Sequence, residues 1–252
     1  MGKVRGLPDL RELGASFDQM ADTLGRQDNL RRNLVANVAH ELRTPIAVLQ
    51  ASTEAMVDGL TPLTIDNVRS LHDEAIRLGQ MTDDLQRLAS AEAAALKLKV
   101  VPCDLGQVAE GVATSLAGIF DGASVRLTRR LAPAWVPGDP DRMREVVTNL
   151  LTNAAKFTPA GGSVVLETRR ATDEAILTVS DTGVGIAADE LPRVSERFYR
   201  GRDSAEVSGS GIGLAIVDEL VRAHHATMEI ASVPGKGTQV TTRMQLLATP
   251  PR

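Results

Sequence analysis

Apolar residues in the first third of the chain recur at alternating spacings of three and four, the pattern of helices that pack along one stripe. The first series consists of Leu10, Leu13, Phe17, Met20 and Leu24. The second series consists of Val35, Val38, Leu42, Pro45, Leu49, Ser52 and Met56. The spacing from Leu24 to Val35 is a heptad plus four, and such a stutter locally unwinds a coiled coil.

A short polar turn, "DGLTPLT" with Gly59 and Pro62, ends the second series. A third periodic segment then carries one apolar stripe: Val68, Leu71, Ala75, Leu78, Leu85 and Ala89. Two long helices joined by a short turn form an antiparallel hairpin. Its narrow stripe would stay half covered in one chain, so two copies forming a four-helix bundle is the simplest completion. We therefore expect a homodimer.

The pattern changes near residue 100, where Pro102 is followed by Asp104, a residue type favoured as a helix N-cap. Helical spacing continues over residues 104–117 and 141–155. Alternating segments predict strands at 163–169, 175–181, 227–232 and 238–246, the first two joined by a hairpin near Thr172 and Asp173. This order predicts an α/β sandwich with helices on one face of a mixed sheet.

Composition limits the partners of this chain. Its 252 residues and 43% apolar content can build real cores, but aromatic residues make up only 2% and the net charge is −4. Those two values argue against nucleic-acid binding. The single cysteine, Cys103, permits no internal disulfide and fits a reducing cytoplasm. There is no run of about 18 apolar residues and no signal-peptide pattern, so we expect a soluble chain.

The second series carries an unusual polar group. With Val38 at a d position, His40 falls at f and is predicted to face solvent. A lone exposed histidine is usually an ordinary surface residue, but Glu41 is adjacent, Thr44 shares its face, and Pro45 kinks the helix by removing a hydrogen bond. A neutral imidazole can attack phosphorus while a carboxylate takes its proton.

Three stretches in the second half of the chain carry residues that could bind the phosphoryl donor. In "REVVTNLLTNAAKF", Asn149, Asn153 and Lys156 share the polar helix face, which is either merely solvated or suited to magnesium and phosphate. In "SDTGVGI", Asp181 ends a predicted strand. The segment is either a simple turn, or it holds the Asp181 carboxylate in place to accept a hydrogen bond from the amine of adenine.

The third stretch, "GSGIGLAIV", begins a helix, where backbone amides can meet phosphates. Such a glycine pattern is weak evidence for a binding site when it stands alone. No hydrophobic strand immediately precedes it, and this argues against a dinucleotide-binding fold. The preceding "RGRDSAEVSGS" is typical of a mobile lid. Arg200 and Arg202 in this region either touch phosphates or are only solvated.

"HELRTP" closely resembles the phosphoacceptor box of the sensor histidine kinases of two-component systems. "NLLTNAAKFTP", "DTGVGI", "ERFYRG" and "GSGIGLAIV" resemble the remaining boxes in the same order, so the resemblance covers residues 28–246. It implies a C-terminal remnant of a HAMP linker helix at 1–27 and a dimerising phosphotransfer domain at 28–97. A catalytic ATP-binding α/β sandwich of the gyrase and histidine kinase type follows at 98–248, with a tail at 249–252.

The resemblance also assigns roles. ATP with Mg²⁺ would phosphorylate His40, with Glu41 as base, and the phosphoryl group would pass to an aspartate on the receiver domain of a response regulator. Thr44 would position water for phosphatase activity. Asn149 and Asn153 would lie on the metal side, and Asp181 would read adenine. The implied nucleotide-binding residues are Asn149, Asn153, Lys156, Phe157, Asp181, Gly183, Gly185, Arg200, Gly209, Gly211 and Gly213.

The whole protein would lie in the bacterial inner membrane through a transmembrane part outside this sequence, with the present part in the cytoplasm. Two alternatives stay open: a gyrase-like ATPase that drives conformational change, and a noncatalytic signalling scaffold. In gyrase-type ATPases a glutamate stands at the position matching Asn149, and its absence would slow hydrolysis. Ser195, His225 and Ala226 depart from the family pattern, and neither His224 nor His225 has a recognisable catalytic neighbour.

Overall fold

The computed structural model describes residues 42–95, 98–201 and 211–247. The chain divides into two compact units, residues 1–78 and 79–252. The predictions made for His40, Glu41, Arg202 and Gly209, for the linker remnant and for the terminal tail lie outside the described residues. The predicted domain limits stay predictions. Within the described ranges, no helix is long and apolar enough to cross a membrane.

Residues 42–95 form the predicted helical hairpin. Helix α1 spans residues 42–57, a turn occupies 58–64, and helix α2 begins there and spans Ile65–Ala95. The Thr64 hydroxyl accepts the backbone N–H of Asn67 at 3.2 Å and so caps the start of α2. The Asn67 side-chain amide donates to the Pro62 carbonyl at 2.8 Å, which fixes the turn. The sequence prediction of two helices joined at this turn is confirmed.

The predicted apolar stripe of α1 coincides with its protected side chains. Its described members are all partly or fully buried: Leu42, Pro45, Leu49, Ser52 and Met56. On α2, Leu71 and Leu78 are half-buried, but Val68 is 49% exposed. The hairpin therefore leaves apolar surface in contact with solvent, as the narrow stripe predicts.

The described residues from 98 to 247 form four α-helices and seven strands. The helices are α3 (Leu105–Ser115), α4 (Ala117–Gly122), α5 (Pro140–Phe157) and α6 (Gly213–Ala223), with a 3₁₀ turn at Leu191–Arg193. The strands are β1 (Val101–Asp104), β2 (Arg126–Leu131), β3 (Trp135–Gly138), β4 (Ser163–Ala171), β5 (Glu174–Asp181), β6 (Thr227–Val233) and β7 (Gly237–Gln245).

The main sheet has five strands in the order β2-β4-β5-β7-β6. Strand β2 pairs with β4 in parallel and the other neighbours are antiparallel, so the sheet is mixed as predicted. Strands β1 and β3 form a separate antiparallel pair. The core consists of one sheet face and the apolar stripes of the helices, including Val147, Leu151, Leu166, Leu177 and Leu220.

Most sequence predictions for this unit are confirmed. Strands β4 to β7 cover the four predicted segments, Ala171 pairs with Glu174 across the predicted hairpin, and Asp104 caps α3 by accepting the N–H of Gly106 at 2.9 Å. Strands β1, β2 and β3 were not predicted. Strand β2, "RLTRRL", lies at an edge of the sheet with none of its residues buried, so it lacks the alternation that marks a strand.

Helix α6 ends in a Schellman motif that contains no glycine. The N–H of Ala226 bonds to the Val221 carbonyl at 3.0 Å, and the N–H of His225 bonds to the Arg222 carbonyl at 2.9 Å. This motif needs one residue in the left-handed backbone conformation, and His225 adopts it with φ 55°. His225, which departs from the family pattern in the sequence, therefore adopts a left-handed backbone conformation that is strained for a residue with a β carbon.

Replacing His225 by glycine is expected to raise the free energy of unfolding by about 0.5–1 kcal/mol, because relief of left-handed strain exceeds the added flexibility of the unfolded chain. The His225 side chain is exposed, so little packing is lost. Denaturant unfolding measures the change. His225→Ala keeps a β carbon in the same conformation and should give no gain. Equal stabilisation by alanine and glycine would rule out backbone strain as the cause.

Candidate functional site

A cavity of about 320 Å³ in the second unit collects nearly all the predicted nucleotide-binding residues. The predicted residues that line it are Asn149, Asn153, Lys156, Phe157, Asp181, Gly185, Arg200, Gly211 and Gly213. Gly183 lies in the loop that begins at Asp181, and Gly209 is outside the described residues. Four separate segments of the chain thus bring these residues together around one cavity.

Helix α5 presents the two asparagines to this cavity. Asp139 caps the helix by accepting the N–H of Asp141 at 3.0 Å, and Pro140 occupies the first turn, where its missing N–H costs nothing. One face of α5 is buried in the core: Met143, Val146, Val147, Leu150, Leu151, Ala154 and Ala155. The opposite face carries Asn149 and Asn153, both half-buried.

The two asparagines differ in how their amides are engaged. The Asn149 Nδ2 group donates to the Glu145 carbonyl at 2.9 Å, which leaves its Oδ1 as the available atom. Within the part of the chain that the structure describes, no hydrogen bond engages the Asn153 amide. The described residues also include no group of three or more His, Cys, Asp or Glu that could hold a metal ion. The amide oxygens of Asn149 and Asn153 are among the hard donors that this cavity can offer to a cation.

Asp181, the last residue of β5, has one oxygen committed and one available. Its Oδ1 accepts the N–H of Gly183 at 2.8 Å and the N–H of Thr238 at 3.0 Å. Among the described groups, none donates a hydrogen bond to Oδ2. Burial raises the pKa of the Asp181 carboxyl, and the two N–H donors only partly oppose that rise. Two fixed donors orient the carboxylate, and Oδ2 can accept a hydrogen bond from a ligand amine.

The loop that follows Asp181 is held against the turn between β6 and β7. Gly185 adopts φ 73°, and a side chain there would run into the backbone carbonyl of Val233. Gly237 adopts φ 100°, and a side chain there would run into the carbonyl of Asp181. The Ser232 hydroxyl accepts the N–H of Ile186 at 2.8 Å and donates to the Gly237 carbonyl at 2.9 Å. The loop therefore has a single backbone path beside the carboxylate.

Residues 190–201 border the cavity on the side of the predicted lid. Glu190 is only 6% exposed, and Tyr199 donates its hydroxyl to Glu190 Oε1 at 3.3 Å. The Arg193 guanidinium lies 4.4 Å from the Tyr199 ring centroid. Glu190 Oε2 lies 3.2 Å from the position that a β carbon of Gly201 would take. The segment that precedes the lid is thus anchored by a buried carboxylate.

The N-terminus of α6 lies beside the asparagines. A β carbon built on Gly213 would lie 3.3 Å from Asn153 Nδ2 and 3.4 Å from Asn149 Oδ1. No side chain caps the described start of this helix. Its first backbone N–H groups and the two amides therefore converge on one end of the cavity, a combination suited to an anion with an associated cation.

Sequence reasoning missed several residues of the site. Thr238 and Gly237 fix Asp181, Ser232 fixes the loop, and Glu190 anchors Tyr199. The signal for the first two is the segment "GKGT" at residues 235–238, which runs into the start of β7, because a glycine in a strand marks close backbone approach. The role of Glu190 has no sequence signal, because its burial depends on Tyr199 and Gly201 folding over it.

Of the predicted phosphoacceptor residues, only Thr44 is described. Its side chain is exposed on α1, and the adjacent Pro45 is buried. His40 and Glu41 lie outside the described residues, so their roles stay predictions.

Two family models match the chain. Residues 30–94 match the model of the His Kinase A (phospho-acceptor) domain, and residues 138–248 match the model of the histidine kinase-, DNA gyrase B- and HSP90-like ATPases. Each model covers the segment that carries the corresponding motifs.

Curated proteins and solved structures give concordant matches. The signal transduction histidine-protein kinase BaeS of Escherichia coli is 34% identical over 94% of this chain and 52% of its own length. The phosphate regulon sensor protein PhoR of Pseudomonas aeruginosa is 34% identical over 85% of this chain and 50% of its own length. The chain thus spans about half the length of these relatives. The histidine kinase AdeS of Acinetobacter baumannii superposes with a TM-score of 0.59 at 26% identity, covering 82% of this chain and 98% of that structure.

Proposed function

We propose an ATP-dependent phosphoryl-transfer function on the premise that the chain belongs to the sensor histidine kinases of two-component systems. One imidazole nitrogen of His40 bonds to the γ-phosphorus of ATP as the bond to the bridging oxygen breaks and ADP leaves. Glu41 takes the proton from the other ring nitrogen. The phosphoryl group then passes to an aspartate on the receiver domain of a response regulator.

The two carboxylate oxygens of Asp181 differ in their hydrogen bonds, and this difference is the main support for the proposal. Two backbone donors hold Oδ1, so Oδ2 is left as a fixed acceptor at one end of the cavity. The exocyclic amine of adenine is a matching donor. At another part of the same lining lie Asn149, Asn153 and the start of α6, which suit the phosphates. An adenine nucleotide therefore meets complementary groups at both of its ends.

Magnesium fits the donors that this lining provides. The oxygens of Asn149 and Asn153 are hard ligands, and the remaining positions of an octahedral ion are normally filled by phosphate oxygens and water. When bound, Mg²⁺ neutralises part of the charge on the β- and γ-phosphates. In the proposal, Asn149 and Asn153 orient this end of the nucleotide, and Lys156 and Arg200 add positive charge from the rim.

The proposal includes a homodimer that covers the apolar surface left open by the hairpin. The exposed aliphatic residues on its described helices are Ile46, Val48, Val57, Ile65, Val68 and Ile76. Each is at least 42% exposed in a single chain, and pairing two hairpins into a four-helix bundle would bury part of this apolar surface. The proposed location is the cytoplasmic side of the cell membrane, as part of a membrane-bound sensor, because ATP and the receiver domain are available there.

An ATPase that hydrolyses ATP to drive conformational change is the main alternative. Such an enzyme needs a general base for water, and the gyrase-type enzymes have a glutamate at the position of Asn149. Here the Asn149 side chain is an amide that donates to the Glu145 carbonyl, and an amide cannot take a proton from water. Incubation with γ-labelled ATP separates the possibilities: acid-labile label on the protein supports the kinase, released phosphate alone supports the ATPase, and neither supports a scaffold.

Glu41 and Thr44 are expected to control different reactions. Glu41→Ala should lower autophosphorylation about 10²-fold or more, because the imidazole loses its proton acceptor. Thr44→Ala should keep most autophosphorylation but lose dephosphorylation of the regulator, because its exposed hydroxyl orients water and is not needed when histidine is the nucleophile. Both variants are assayed for the rate of autophosphorylation and for the rate at which they remove label from the phosphorylated regulator.

Thr53→Ala provides a matched control, because Thr53 is another hydroxyl on α1 whose Oγ1 only donates to the Leu49 carbonyl at 2.6 Å. It should leave both rates unchanged. If Glu41→Ala and Thr44→Ala lose both activities to the same extent, the residues act through helix geometry and not through separate chemical roles.

A further inference from the structure

His224 makes two hydrogen bonds whose directions define its chemical state. Its Nδ1 lies 2.7 Å from the Leu220 carbonyl, which can only accept, so Nδ1 carries the proton. Its Nε2 lies 3.0 Å from the backbone nitrogen of Asp139, which can only donate, so Nε2 provides a lone pair. The ring is therefore a neutral imidazole that joins the end of α6 to the residue before α5.

Asp139 is the N-cap of α5 and also forms hydrogen bonds to other segments of the chain. It is 7% exposed, and its carboxylate accepts three backbone N–H groups, from Asp141 and Arg142 of α5 and from Lys99 ahead of β1. Burial raises the pKa of the Asp139 carboxyl, but these backbone donors outweigh burial and lower it below its usual value. The backbone N–H of Asp139 donates to His224, and this is the bond that reaches the end of α6.

Helices α5 and α6 run antiparallel and meet at two places. At one place the start of α6, Gly213, lies against Asn149 and Asn153 of α5. At the other place the C-cap of α6, His224, binds the N-cap of α5. A side chain on Gly138 would lie 3.4 Å from the His224 ring, so the imidazole fits closely beside β3. The side-chain hydrogen bond between the two helix ends thus lies at the end opposite the cavity.

We propose that His224 is a positioning residue for the phosphate end of the nucleotide. Its bond to Asp139 sets the position of α6 along α5, and this position determines how the amides at the start of α6 face Asn149 and Asn153. The adenine end depends instead on Asp181, Gly183 and Thr238, which lie on the sheet and its loops. This inference rests on the proposed function, because the two helices hold phosphates only if the cavity binds ATP.

Asparagine and glutamine separate the two bonds of His224. An asparagine amide nitrogen takes the place of Nδ1, so His224→Asn keeps the bond to the Leu220 carbonyl and leaves the Asp139 N–H without its acceptor. A glutamine side-chain oxygen reaches the place of Nε2, so His224→Gln keeps the acceptor for Asp139 and loses the bond to Leu220. The first variant keeps the bond within α6, and the second keeps the bond between the helices.

Calorimetric titration of the full chain and both variants with adenosine, and with a non-hydrolysable ATP analogue plus Mg²⁺, tests the proposal. The titrations are done well below each variant's Tm. We expect His224→Asn to bind the Mg-ATP analogue about tenfold more weakly and adenosine with unchanged affinity. His224→Gln should bind both ligands within about twofold of wild type. A purely structural role would lower Tm without this dependence on phosphate.

The proposal fails if His224→Asn binds the Mg-ATP analogue as well as wild type, or if both variants lose affinity for it equally. It also fails if adenosine and the Mg-ATP analogue weaken by the same factor, because a general loss of the fold would do that. Failure of the proposed function is a different result: the wild-type chain would then bind neither ligand, whatever residue stands at position 224.

Discussion

His40→Gln is expected to abolish autophosphorylation and to leave the affinity for Mg-ATP within about twofold of wild type. Glutamine keeps a polar side chain of similar length but has no nucleophilic nitrogen, because its amide lone pair is delocalised. The proposed nucleotide-binding residues that the structure describes lie within residues 79–252, whereas position 40 falls in the other unit, residues 1–78. Transfer of label from γ-labelled ATP to the full chain measures the first effect, and calorimetry with a non-hydrolysable analogue measures the second.

His72→Gln is the matched control, because His72 is an exposed histidine on the same hairpin with no role in the proposed chemistry. It should retain full labelling. Acid-labile phosphate on the His40→Gln protein would show that another residue accepts the phosphoryl group and would overturn the assignment. Loss of labelling in the His72 variant as well would indicate a general effect on the hairpin instead.

Asp181→Asn is expected to weaken ATP binding by about 10- to 100-fold with the fold intact. An asparagine oxygen can still accept the N–H groups of Gly183 and Thr238, so the loop keeps its path. Its Nδ2 group then replaces the free carboxylate oxygen and presents a donor to the adenine amine, which is also a donor. Loss of one charge-assisted hydrogen bond costs about 1.5–3 kcal/mol, and each 1.4 kcal/mol is tenfold in affinity.

Two controls separate changed recognition from unfolding. Guanine has a carbonyl oxygen where adenine has its amine, so the preference of the variant for ATP over GTP should fall. Stability should stay the same or rise at neutral pH. Because the pKa of Asp181 is raised above 3.8, the folded chain holds this proton more tightly than the unfolded chain, and ionisation at higher pH costs stability that an amide avoids. A lowered Tm with an unchanged ATP:GTP ratio would contradict the adenine assignment.

Local periodicity made much of the fold predictable. The apolar stripe of α1 was predicted from spacing alone and matches its protected side chains. Buried and more exposed residues alternate along most of β4, β6 and β7, which made these strands predictable, and the predicted cap at Asp104 follows from its residue type before a helix. Strands β1 and β3 have four residues each, too few for a period to show, and β2 is an exposed edge rich in arginine.

The sequence by itself determined the helices of the hairpin, strands β4 to β7, the order of the motifs and which residues are candidates for binding a nucleotide, because these depend on residues a few positions apart. Only the tertiary structure decided how each candidate is held. Asp181 receives its second donor from Thr238, 57 residues away, and Asp139 donates to His224 across 85 residues. Such bonds form when the sheet and helices pack, and no local pattern encodes them. The same histidine that had no recognisable neighbour in the sequence therefore joins two helices that line the cavity.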